Sequence, residues 1–198
     1  MVIETACQSF ISDIGDYAIY ADARFGDNGD YWGVPTYEVG SPSASTPGYC
    51  RWDSDPSNGI ETGWLDVELH VGANHVVTWE VQGGGDGILQ FSNVQYGDIS
   101  KVRVRAAVQQ SGLLFEWRSL VLQFYDNGVL KESSSMTSAQ QPKADTTQSG
   151  SVKEMITTIT PAWAHNDELI LTGQIHLHAN QGVYPGANDL FGQVLINA

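Results

Sequence analysis

From Ile99 to Leu130 apolar and polar residues alternate one by one, a period that fits a strand and not a helix. Val102, Val104, Ala106 and Val108 interleave with Lys101, Arg103 and Arg105. Leu120, Leu122 and Phe124 then interleave with Ser119, Val121, Gln123 and Tyr125. Asp126-Asn127-Gly128 supplies residues that tolerate positive φ, and Val129-Leu130 begins a return strand, so a tight hairpin is expected there. A chain built this way buries one face of each strand and wets the other. The fold class that follows is antiparallel all-β.

The same period recurs elsewhere. Leu65, Val67, Leu69 and Val71 oppose Trp64, Asp66, Glu68 and His70, Gly72-Ala73-Asn74 turns the chain, and Val77, Trp79 and Val81 continue it. Ile88 to Val94, Met155 to Thr160, Glu168 to Ala179 and Leu190 to Ile196 read as further strands. Residues 2–25 alternate irregularly: Phe10, Ile11, Ile14, Tyr17 and Ala18 fit a short helix as well as strands, and Ala18-Ile19-Tyr20-Ala21 reads as a strand end. Two stretches break the pattern. Residues 26–63 are rich in Gly, Asp, Ser and Pro with scattered aromatics, an irregular excursion with short strand fragments. Residues 133–151 are polar and Ser/Thr/Gln-rich, a surface loop or arm. One domain over 1–198 is expected, a two-sheet sandwich of jelly-roll or Greek-key type, with a closed β-barrel as the alternative.

Charge narrows the function classes. Nine Lys+Arg stand against 23 Asp+Glu, a formal net charge of −14. That disfavours binding to a phosphate backbone or an anionic membrane, and it suits divalent cations and a soluble surface. Apolar runs fall short of the roughly 18–20 residues that span a bilayer, so no membrane insertion is expected. The N-terminus lacks a basic segment followed by an apolar one, so no signal peptide is expected; an extracellular or virion-surface location still suits the composition.

Four groups of residues are candidates for function. Tyr31, Trp32, Tyr37, Tyr49 and Trp52 concentrate in the 26–63 excursion beside Asp and Asn, where aromatic faces stack on sugar rings and polar groups take the hydroxyls. Trp32 and Trp52 lead that set, and packing of the excursion on the sandwich is the competing use. Asp22, Asp27, Asn28 and Asp30 read as one acidic loop and Asp53, Asp55 and Asn58 as another, each able to offer oxygens to a structural Ca²⁺ or simply to make turns. His176 and His178, at i and i+2 with Gln174 and Asn180 on one strand face, can reach one metal ion if an acid joins them. Lys101, Arg103 and Arg105 share a face, for which pairing with Asp66 and Glu68 or protection of a sheet edge are the simplest uses. Cys7 and Cys50 either stay as buried thiols or close a disulfide loop of about 44 residues, worth roughly 4 kcal/mol.

Nucleophile elbows, P-loops, HExxH and GxGxxG are missing from the sequence. The leading expectation is a non-catalytic sandwich that binds carbohydrate or a protein partner through 26–63. A structural subunit of a virion, shell or filament, oligomeric and using 133–151 to reach a neighbour, is the second. A metal-dependent enzyme around His176 and His178 is the third.

Overall fold

The computed structural model describes residues 1–9, 17–24, 37–48, 60–82, 87–144, 151–164, 167–183 and 190–197. In chain order its strands are β1 (Val2–Ser9), β2 (Ile19–Arg24), β3 (Tyr37–Ser41), β4 (Ala44–Gly48), β5 (Ile60–Glu61), β6 (Leu65–Val71), β7 (Val76–Val81) and β8 (Leu89–Ser92). They continue as β9 (Ile99–Val108), β10 (Leu113–Asp126), β11 (Val129–Ser135), β12 (Lys143–Ala144), β13 (Ser151–Trp163), β14 (Glu168–Ala179) and β15 (Leu190–Asn197). The first sheet runs β1-β13-β9-β15-β2-β3-β4. The second runs β11-β10-β14-β6-β7-β8, with β12 on β10 and β5 on β14. The two face each other as a sandwich, and the sheets do not close into a barrel.

Eight of these strands carry the topology. β2 pairs with β15, β6 with β14, β9 with β13 and β10 with β11. In chain order, first pairs with last, second with seventh, third with sixth and fourth with fifth. That nesting is a long hairpin wrapped over itself, the jelly-roll arrangement. The remaining strands extend the sheets: β1 beyond β13, β3 and β4 beyond β2, β7 and β8 beyond β6.

The alternation explains the core. On β9, Val102, Val104, Ala106 and Val108 point inward and are fully buried, and on β10 Phe115, Leu122 and Phe124 meet them from the other sheet. Two indoles tie the layers together: Trp79 Nε1 donates to the Asp22 carbonyl (2.9 Å) and Trp117 Nε1 to the Arg105 carbonyl (2.7 Å). A buried N–H left without an acceptor would cost roughly 1–3 kcal/mol, so these bonds fix where each ring sits. The expected hairpin is present, with Asn127 (φ 50°) and Gly128 (φ 73°) as its two turn residues.

Residues 2–9, open in the sequence between helix and strand, form β1 against β13, and the strand end expected at Ala18–Ala21 falls at the start of β2, paired with β15. Two expectations are revised. The stretch expected as a polar loop from 133 is ordered through Ala144: β11, a 3-10 turn at Ser138–Gln140, and β12. Gln140 Nε2 donates to the Thr5 carbonyl (3.3 Å), so this segment is held against edge strand β1. Finally, Lys101, Arg103 and Arg105 do not pair with Asp66 and Glu68, since β9 and β6 lie in different sheets. Nor do they guard an edge: β9 sits between β13 and β15.

Candidate functional site

The outward face of the first sheet carries a row of polar residues set by register. Glu154 on β13 lies opposite Arg105 on β9, Arg105 opposite Gln193 on β15, Gln193 opposite Asp22 on β2, and Asp22 opposite Glu38 on β3. Outward positions are normally wet, yet Glu154, Arg105 and Asp22 are all buried, Asp22 with 7% of its surface exposed. Arg105 Nε lies 3.1 Å from Glu154 Oε1, and Arg105 Nη1 donates to Gln193 Oε1 at 3.4 Å. Burial pulls the Arg105 guanidinium below its usual range, and the Glu154 carboxylate opposes that.

At the β3 end the row opens into a surface cavity of about 440 Å³. Tyr17, Tyr20, Asp22, Arg24 and Gln193 line it together with the β3–β4 turn from Ser41 to Ser45. The strand sequence Ile19-Tyr20-Ala21-Asp22-Ala23-Arg24 places Tyr20, Asp22 and Arg24 on one face and the buried Ala21 and Ala23 on the other. Gly40 shares the outward face of β3. A Cβ there would meet the Ala44 carbonyl oxygen at 2.4 Å, so the absence of a side chain lets the turn fold over the sheet and wall the cavity.

Three donors converge on Glu38. Arg24 Nη2 donates to Oε2 at 2.5 Å, and Oε1 accepts from the Tyr20 hydroxyl at 2.8 Å and from Ser45 Oγ. Tyr17 and Tyr20 meet edge to face, centroids 5.9 Å apart. Asp22 is treated differently. Its Oδ2 accepts from Arg24 Nη2 at 3.0 Å, while its buried Oδ1 has no hydrogen-bond partner among the described residues. Burial pushes the Asp22 carboxyl up to about 7; Arg24 holds it down in part and the Glu38 charge pushes it further up. Burial also raises the Tyr20 phenol well above its ordinary value.

The expected candidates fall in several places. Tyr37 is fully buried against Gly48 with its hydroxyl donating to the Gly87 carbonyl (3.1 Å), so it is a core ring and offers no face to a ligand. Asp22 belongs to no acidic loop; it is a strand residue at the cavity. Asp27, Asn28, Asp30, Tyr31, Trp32, Tyr49, Cys50, Trp52, Asp53, Asp55 and Asn58 lie outside the described residues. Cys7 is in β1, opposite Met155, and its pairing with Cys50 lies outside the described residues too. Sequence reasoning passed over Arg24, Glu38, Ser45 and Gln193. The usable signal was Tyr-x-Asp-x-Arg with small residues between, a polar strand face that is dense in charge.

His176 and His178 do share the outward face of β14, in the second sheet, with ring centroids 6.4 Å apart. His176 Nδ1 lies 3.2 Å from Glu116 Oε2, and Lys143 pairs with the other Glu116 oxygen. Burial pushes the Glu116 carboxyl up, but hydrogen bonds from Lys143 and His176 outweigh it and hold the group below its ordinary value. Trp64 packs between Arg118, 3.8 Å over its ring, and His176 at 5.2 Å. His178 Nε2 is 3.1 Å from Asn180 Oδ1. Among the described residues, no group of three or more His, Cys, Asp or Glu is arranged to hold a metal ion.

No protein-family model matches the chain, and no curated protein matches it. Among solved structures, one of infectious bursal disease virus, Gx strain, aligns at 7% identity over 99% of this chain and 76% of that chain, with a TM-score of 0.17. The VP2 subviral particle of infectious bursal disease virus aligns at 8% identity over the same shares, with a TM-score of 0.15. Likenesses at these scores carry no weight for fold or function.

Proposed function

We propose that this protein is a non-catalytic β-sandwich module that binds carbohydrate over β2, β3 and β4. The carrying observation is Asp22: a carboxylate nine-tenths buried, lining a polar cavity, with one oxygen left without a partner. Such a group is costly to keep unless something completes it. Sugar hydroxyls are both donors and acceptors, and the cavity offers carboxylate, guanidinium, phenol and serine groups to meet them. Binding is favoured over cleavage because Glu38, the second carboxylate, already accepts from three side chains and is poorly placed to take a proton or attack.

Ser43 is exposed at the β3–β4 turn and lines the cavity, so Ser43→Trp should fill it without disturbing the core. On a glycan array the variant should lose the binding of the parent at an unchanged melting temperature. Retained binding would reject this cavity. Loss in Trp32→Ala/Trp52→Ala, with Ser43→Trp still binding, would move the platform to those two rings.

A second reading is an assembly subunit. The jelly-roll wrap serves lectins and viral capsids alike, which is an analogy of fold. The specific observation is exposed apolar surface on two edge strands: Val2 on β1 and Val129 and Leu130 on β11.

A further inference from the structure

We infer that the cavity over β2–β4 selects a saccharide bearing a free ammonium group, an amino sugar, with Asp22 as the residue that binds the ammonium. This rests on the carbohydrate-binding reading above and specifies its ligand. The charge count at the site points to a cation. Arg24 and Glu38 form a close pair, and Glu38 takes its remaining donors from neutral hydroxyls. Asp22 borrows the same Arg24 nitrogen through Oδ2, while Oδ1 receives nothing. Counted over the described residues, with Arg24 paired to Glu38, an ionised Asp22 leaves one negative charge uncompensated at the cavity.

Among the described residues, the groups around Asp22 supply no second cation. From β2 it faces Tyr20 and Arg24, from β3 Glu38, and from β15 the neutral Gln193. The next cation along the row, Arg105, is paired with Glu154. A ligand hydroxyl would satisfy Oδ1 as a hydrogen bond and leave the charge. An ammonium satisfies both, and a charge-assisted bond in a buried setting is the stronger of the two. The whole chain, at −14, also attracts cationic ligands. The Ser41 and Ser43 hydroxyls, 3.3 Å from each other, and the edges of Tyr17 and Tyr20 line the cavity where the sugar ring would lie.

Titration agrees in direction. Burial holds the Asp22 carboxyl at about 7, so an ammonium, which prefers the ionised form, must displace a proton when it binds in acid. Affinity for it should then fall about tenfold for each unit of pH below about 6. A neutral sugar should show no such slope.

The test uses three tetrasaccharides of one linkage, β-1,4-linked glucosamine, its fully N-acetylated counterpart and the glucose tetramer, titrated calorimetrically into the full chain at pH 5 and pH 6.5. The expected result is binding of the glucosamine tetramer at least tenfold tighter than the other two at pH 6.5, weakening at pH 5. Asp22→Asn, which keeps the shape and removes the charge, should erase that preference and the pH slope. Equal binding of all three would overturn the amino-sugar assignment and leave the carbohydrate-binding reading standing. A preference that survives in Asp22→Asn would also overturn it, since the general negative field would then be responsible. Binding of none would remove both.

Discussion

The buried carboxyl of Asp22 makes stability itself a probe of the site. In the unfolded chain an Asp titrates near 3.8, and in the folded protein burial raises this one to about 7. Between those values the native state binds more protons than the unfolded state, so this group makes stability fall as pH rises. The full shift corresponds to about 4 kcal/mol, of which about 3 kcal/mol lies between pH 4.5 and pH 8. Asp22→Asn has no proton to lose. At pH 4.5 the folded parent and the variant both carry a neutral group, and the variant should be the more stable by only about 1 kcal/mol. At pH 8 it should be the more stable by about 4 kcal/mol. Urea unfolding of both proteins at both pH values, at one ionic strength, gives the double difference, and other carboxylates cancel because they are shared. Against a typical domain stability of roughly 5–15 kcal/mol this is a large effect. A difference that stays flat between the two pH values, or a variant less stable at pH 8, would refute the claim that Asp22 is held in the fold at a cost.

Two further outcomes follow from the same row and from the edges. Arg105→Met should destabilise by about 3–5 kcal/mol because it takes the paired cation from the buried Glu154, whereas Arg105→Met with Glu154→Leu should recover more than half of that loss; additive costs in urea unfolding would show that the pair is not coupled. Light scattering after size exclusion, with and without EDTA, decides the assembly reading. A stable mass near 21.5 kDa speaks against it, and a larger particle that EDTA dissolves would place a divalent cation at the contacts.

Most of the sandwich was legible because period-two alternation states which residues face inward, and it does so strand by strand. Val102, Val104, Ala106 and Val108 could be named as core before any partner strand was known, and all are buried. Asn127-Gly128 likewise fixes its hairpin locally, through φ values that other residues adopt at a cost. The ends of the chain were harder. Strand β1 owes its state to β13, more than a hundred residues away, and the spacing of Phe10, Ile11, Ile14, Tyr17 and Ala18 fits a helix as well as a strand.

The candidate site was illegible for a different reason. Alternation says that Arg105 and Asp22 face away from the core, and the natural inference is that they face water. Their chemistry depends instead on cross-strand register, which brings together positions 22, 38, 105, 154 and 193 from five strands. Nothing local in Lys101-Val102-Arg103-Val104-Arg105 separates the buried Arg105 from its half-buried neighbours Lys101 and Arg103. Sign patterns along one strand therefore suggested an ion pair with β6, when the wrap had put β6 in the opposite sheet. Asp22 was misplaced in the same way: beside Asp27, Asn28 and Asp30 it resembles a turn residue, yet Ala21 and Ala23 on either side are buried in the core and the Trp79 indole bonds its carbonyl. Its backbone carbonyl is fixed from the core side by that indole, and among the described residues its buried Oδ1 meets no donor, which is why burial raises this carboxyl so far above an ordinary Asp.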